Sequence, residues 1–191
     1  MKRFFAILLT SLWLCLSLNA QEHTRRPPSV PIAKPTPAPR IIDAGGWAHF
    51  NSVSGRFSVL VPEIPKEQVE TKQTEHGPYT THLYVVRDER NVYLIGWVDY
   101  DPSFNFNRQI ELEANRDNFV KGVKATLTST QSTNIDGYPV LEFTADTANR
   151  TFKSRVYLVG RRPYQIVIGF PKGEAEIAPI GRFFDSFKVS K

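Results

Sequence analysis

The chain has 191 residues, 41% of them apolar and 23% charged, with 14 Pro, three Trp, a single Cys and a formal net charge of +5. This is the balance of a globular protein, and it excludes an intrinsically disordered chain, a polytopic membrane protein and a disulfide-stapled scaffold. Residues 1–20 hold two of the 24 basic and none of the 19 acidic residues, and from residue 47 onward the net charge is only +1, so the basic character belongs to the N-terminal part and argues against a nucleic-acid surface.

Residues 1–20 read as a secretory signal peptide: Lys2 and Arg3, an apolar run from Phe4 to Leu18, then Ala20 before Gln21. Export to the periplasm or beyond is the expectation. Leu18, three residues before the cut, is larger than the preferred small residue, which leaves open an uncleaved leader as the one route to a membrane. Cys15 lies inside the apolar run behind Leu14 and is not placed for lipidation. Once the leader is removed no cysteine remains, which excludes thiol catalysis and thiolate metal ligands.

Residues 21–46 form a linker in which six of the 14 prolines fall between Pro27 and Pro39. Such a stretch favours polyproline II at ~3.1 Å per residue, a semi-rigid spacer of roughly 40 Å. The folded domain is expected over 47–191.

From Trp47 the pattern is mostly of period two. Trp47–Asn51 and Arg56–Val61 read as a hairpin around Ser54-Gly55, and Glu67–Thr74 and Tyr79–Arg87 as a second across Glu75-His76-Gly77-Pro78. Asn91–Tyr100 adds a strand with Val92, Leu94, Gly96 and Val98 on one face and Tyr93, Ile95 and Trp97 on the other, so both faces need covering, and helices are expected to do it. Leu112, Phe119, Val120 and Val123 recur at helical spacing between Asn107 and Val123; Ile177, Ile180, Phe183, Phe184 and Phe187 do so at the C-terminus, with Pro179 in the first turn. Between the helices, Ala125–Asn134, Val140–Thr147, Phe152–Val159 and Tyr164–Phe170 are strands whose short connections imply antiparallel neighbours. The fold class is α+β: an antiparallel sheet of seven to nine strands layered with two helices.

Three segments carry a family resemblance. Gly137-Tyr138-Pro139-Val140-Leu141-Glu142-Phe143-Thr144, Arg155 to Gln165, and Phe183-Phe184-Asp185-Ser186-Phe187-Lys188, with Gly55-Arg56-Phe57-Ser58-Val59 as an opening hairpin, resemble exported bacterial domains of the PsbP-like type over most of 47–191. The resemblance implies a binding or assembly role and transfers no catalytic residue. The long Pro-rich spacer departs from the compact photosynthetic members and speaks against a photosystem role.

No phosphate loop, His-Glu-x-x-His, Gly-x-Ser-x-Gly or Ca²⁺ loop occurs, and no cofactor is expected. Glu75, His76 and His82 could assemble a two-imidazole, one-carboxylate metal site across their hairpin, or be a solvated turn and a strand-surface histidine. Asp99 and Asp101, flanking Tyr100 before Pro102, could bind a cation or cap backbone amides. Lys153 and Arg155 share a strand face, and with Arg150, Arg161 and Arg162 they form the densest positive cluster, open to an anionic partner or paired with Glu142 and Asp146. Phe104 and Phe106 either line a groove or pack against a helix.

Three functions remain. The first is a non-catalytic exported domain that binds a protein partner or assembly in the cell envelope. The second is a carrier of a small ligand or lipid, using a cleft between sheet and helix lined by Trp97, Tyr100, Phe104 and Phe106. The third is a hydrolase built on His82 or His49 with a distant Ser and Asp.

Overall fold

In the computed structural model the described residues are 42–43, 45–104, 106–174 and 177–190; the expected leader at 1–20 and the proline stretch at 27–39 lie outside them. The elements run β1 (Ala48–Ser52), β2 (Phe57–Val61), β3 (Glu67–Lys72), β4 (Tyr79–Arg87), β5 (Val92–Tyr100), α1 (Arg108–Gly122), β6 (Thr126–Ile135), β7 (Tyr138–Asp146), β8 (Arg150–Val159), β9 (Arg162–Pro171), α2 (Ile177–Ser186) and β10 (Lys188–Val189). Seven strands form one antiparallel sheet in the order β3-β4-β5-β9-β8-β7-β6, and three form a second in the order β1-β2-β10.

The order follows from one crossover. The chain leaves β5 in the middle of the large sheet, crosses β9, β8 and β7 as α1, enters β6 at the far edge, and meanders back until β9 pairs with β5. Local chemistry fixes the ends of the crossover. Asn107 caps α1 by accepting from the amides of Gln109 and Ile110 at 3.1 and 3.2 Å. At the other end Lys124 takes φ 54°, the Ala125 amide donates to the Val120 carbonyl at 2.9 Å and the Lys124 amide to the Lys121 carbonyl at 3.1 Å, a Schellman closure. The β6–β7 turn is Asp136-Gly137 with φ 53° and 84°, the two-residue turn whose twist matches antiparallel strands.

The large sheet is covered on both faces, as the doubly apolar β5 requires. On one face α1 packs Leu112, Phe119 and Val120 against Leu141, Ala145, Val156 and Leu158. The other face differs from expectation. It is covered by α2 together with the small sheet, because the opening hairpin leaves the large sheet and stacks on it. At a sheet edge β2 would leave a side-chain face in water; stacked face to face, it buries Phe57, Val59 and Val61 to 0%, 2% and 0% exposure against Tyr93, Ile95 and Trp97. Phe57 sits at the centre, with the rings of Phe50, Tyr84, Trp97, Tyr164 and Phe187 at 5.4 to 6.3 Å. The short β10 completes this layer. No helix among the described residues is long and apolar enough to cross a membrane.

Candidate functional site

The pairing of β4 with β5 sets His82 opposite Trp97 on the small-sheet side. The two rings stack with centroids 4.3 Å apart and planes at 3°. His82 Nδ1 lies 2.7 Å from Glu67 Oε1 on β3, and Nε2 lies 3.5 Å from Asp99 Oδ2. Asp99 also accepts from Trp97 Nε1 at 3.2 Å and from Arg162 Nε at 2.6 Å, while Arg162 Nη1 donates to the Ser54 carbonyl at 3.2 Å. Glu67, His82, Asp99 and Arg162 thus form a line of polar contacts that ties β3, β4, β5 and β9 to the β1–β2 turn. Because both imidazole nitrogens face carboxylates, neither is aimed at a hydroxyl it could activate, so the hydrolase reading loses His82; His49 is exposed on β1.

Of the two readings of Glu75, His76 and His82, the metal triad does not assemble. His76 lies 3.4 Å from Glu75 and edge-on to Phe104, whereas His82 is committed to Glu67, Trp97 and Asp99. The two histidines belong to separate clusters, and among the described residues no group of three or more His, Cys, Asp or Glu is arranged to hold a metal. Nor do Asp99 and Asp101 converge. Asp101 accepts from the Ser103 hydroxyl at 2.5 Å and the Ser103 amide at 2.9 Å, bonds that hold its carboxyl below the usual range and cap its own turn.

Tyr100, Phe104 and Phe106 form an aromatic corner instead of a cleft wall. Tyr100 lies 4.6 Å from Phe104 and 5.8 Å from Phe106, and its hydroxyl donates to Glu111 on α1. Glu111 is 9% exposed; burial pushes its carboxyl above the usual range, against the opposing pull of bonds from Tyr100 and Asn115. Burial, then the Glu111 charge, pushes the Tyr100 phenol up as well. Arg161 closes the corner, donating to the Phe104 carbonyl at 2.6 Å and lying 5.3 Å from the Phe106 ring.

The basic strand face is largely spoken for. Arg155 donates to Glu142 at 2.6 Å and lies 4.8 Å over the Phe184 ring of α2, so it works in packing and pairing. Lys153 borders a hollow of about 300 Å³ beside Glu142, Gln131 and Ile180.

Two features bear on binding. The first is a groove of about 510 Å³ on the α1 side, between that helix and the β3–β4–β5 half of the sheet, a sheet–helix cleft as the carrier reading requires but with a different lining. Leu83, Val85, Leu94, Val98 and Val167 are its apolar floor, and Asn115, Asn118 and Phe119 its helical wall. Of the four aromatics expected to line a sheet–helix cleft only Trp97 borders it, because the other three fill the corner at the N-terminal end of α1. The available signal was one helix too narrow for seven strands.

The second is the edge formed by β6. This strand pairs only with β7, and its ten residues, Thr126–Ile135, include no charged residue and no proline, with most of them exposed. The opposite edge, β3, has six residues and carries Glu67, Glu70 and Lys72. Charge guards one edge of the sheet and not the other.

No family model matches the chain, and no curated protein matches it. The fold is similar to the solution structure of cyanobacterial PsbP (CyanoP) from Synechocystis sp. PCC 6803, with a TM-score of 0.52 at 8% identity over 82% of this chain and 99% of that one. A protein from Bacteroides thetaiotaomicron VPI-5482 overlaps with a TM-score of 0.36 at 16% identity, over 75% of this chain and 48% of that one. The chain has a PsbP-like fold, as the resemblance in its sequence implies.

Proposed function

We propose that the protein is an exported, non-catalytic domain that holds a protein partner in the cell envelope, with the Pro-rich arm setting its reach. The observation that carries this reading is the open β6 edge. Beyond a bulge at Leu127–Ser129 the unpaired amides and carbonyls of β6 run in regular register from Ser129 to Ile135, with Arg116 of α1 touching the strand at Thr130; such a row is a template for another strand, and edges not used for pairing are ordinarily blunted along their length by charge, proline or brevity. An extended, uncharged segment of the partner adds to β6 by main-chain hydrogen bonds, and the Thr and Ser side chains accept β-branched neighbours across it. The PsbP-like fold supports a binding role, and the leader supports export.

The test is site-specific photo-crosslinking in intact cells, with the reactive group placed at Ser132 on β6 or, separately, at Glu70 on β3. A single crosslinked species from Ser132, absent from Glu70 and lost when Gln131→Lys is added, is the expected result. Equal products from both edges, or none from β6, overturn it. The mass of the protein recovered from the same cells reports whether residues 1–20 are removed.

A further inference from the structure

The groove beside α1 has a chemistry distinct from the β6 edge. The helix packs mainly on β7, β8 and β9, so the same face of β4 and β5 is covered only in part, by Phe119 and Val123. On that floor Leu83 and Val85 remain partly exposed beside the buried Leu94, Val98 and Val167. Two glycines line it: Gly96 in the floor, where a Cβ would come within 3.1 Å of the His82 carbonyl, and Gly122 on the helical wall.

The two ends of the groove are unlike. At one end stands Arg87, exposed, its guanidinium without an ion pair or hydrogen bond among the described residues. Away from Arg87 the wall carries Asn115, a neutral amide whose Nδ2 is turned to the Glu111 carboxylate at 2.9 Å. From Thr81 to Arg87 the floor strand spans six residue steps, about 20 Å at ~3.3 Å each, against the ~15 Å of one leaflet of a bilayer's hydrocarbon core.

We propose that this groove binds a single-chain fatty carboxylate, with the chain along Leu83, Val85 and Leu94 and the carboxylate on Arg87. A guanidinium meets a carboxylate through two parallel hydrogen bonds, which fixes the direction of the chain. Apolar burial supplies the affinity, since each CH₂ covered is worth about 0.8 kcal/mol. The groove lies at the β3–β5 end of the sheet and β6 at the other, so ligand and protein partner occupy separate places and either reading can fail without the other.

The experiment is calorimetric titration of the full exported chain with dodecanoate below its micelle concentration, and with dodecyltrimethylammonium as the charge-reversed probe. Saturable one-to-one binding of dodecanoate, at least tenfold tighter than the ammonium, is expected. Arg87→Gln should weaken dodecanoate tenfold or more and leave the ammonium unchanged, and Gly122→Leu should abolish both by filling the trough. Circular dichroism and thermal melting establish that each variant is folded; should Gly122→Leu fail to fold, Val85→Gln, which puts a neutral polar side chain on the half-exposed floor, takes its place. Equal affinity for the two probes, or an Arg87→Gln variant that binds dodecanoate as well as the parent, overturns the assignment. Arg87-dependent sedimentation with phosphatidylglycerol vesicles would replace the free carboxylate with a lipid headgroup and also overturn it.

Discussion

His82 lies flat on Trp97 with ring centroids 4.3 Å apart, and from that position its Nδ1 reaches Glu67 on the edge strand β3. β3 pairs with β4 alone, so beyond its ladder it is held by side-chain contacts, this one and the Thr71–Thr80 hydroxyl pair at 3.0 Å. His82→Ala removes both the stack, worth about 0.5–1.5 kcal/mol, and the carboxylate contact. The expected loss is about 1–2 kcal/mol, with amide exchange rising more over Glu67–Lys72 than in β9. Uniform exchange through the sheet would show that His82 does not pin the edge.

Glu111 gives stability a pH dependence of definite sign. Burial raises its folded-state pKa above the unfolded value, so in that window the native state binds more protons than the unfolded one and stability falls as pH rises. The favourable contribution is complete below the ordinary carboxylate range and is lost upward through the raised value. Glu111→Gln keeps an oxygen that can accept from Tyr100 and Asn115 while removing the titration. Denaturation midpoints from pH 4 to pH 8 should therefore decline less in the variant than in the parent, with the two curves separating on the alkaline side.

Thr81 carries the one buried side-chain oxygen found without a hydrogen-bond partner among the described residues. A polar group left in that state costs about 1–3 kcal/mol. Thr81→Val keeps the branched shape that suits a strand and removes the unmet hydroxyl, so urea denaturation should give a gain of about 1 kcal/mol. A loss of stability would mean that the hydroxyl is satisfied in solution.

Lys124 closes α1 at φ 54°, a conformation that costs a residue with a Cβ and costs glycine little. Lys124→Gly should raise stability by about 0.5–1 kcal/mol without altering the helix. A glycine placed at the helix interior, Ala114→Gly, should lower it by about 1 kcal/mol. Paired thermal melts of the two variants give the comparison.

The amino-acid sequence by itself determined the elements and their faces. Alternation in β5, the Asp136-Gly137 turn, the Asn107 cap and the aromatic spacing of α2 each act within a few residues, and propensity and turn chemistry at that range leave one answer. It also held the resemblance to the PsbP-like fold that the structure bears out. Which strands share a sheet, and which charges meet, only the tertiary structure decided. Alternation tells a strand which face to bury but not what to bury it against, so the opening hairpin had no way to declare that it would stack on the large sheet rather than extend it. Asp99 finds Arg162 from 63 residues away because β5 pairs with β9, and His82 meets Glu67 because pairing sets it opposite Val69, two residues along the same face of β3, while His76 stays in the β3–β4 turn against Phe104. The groove arises in the same way, since a single helix crossing from β5 to β6 covers the strands it passes and leaves the others open.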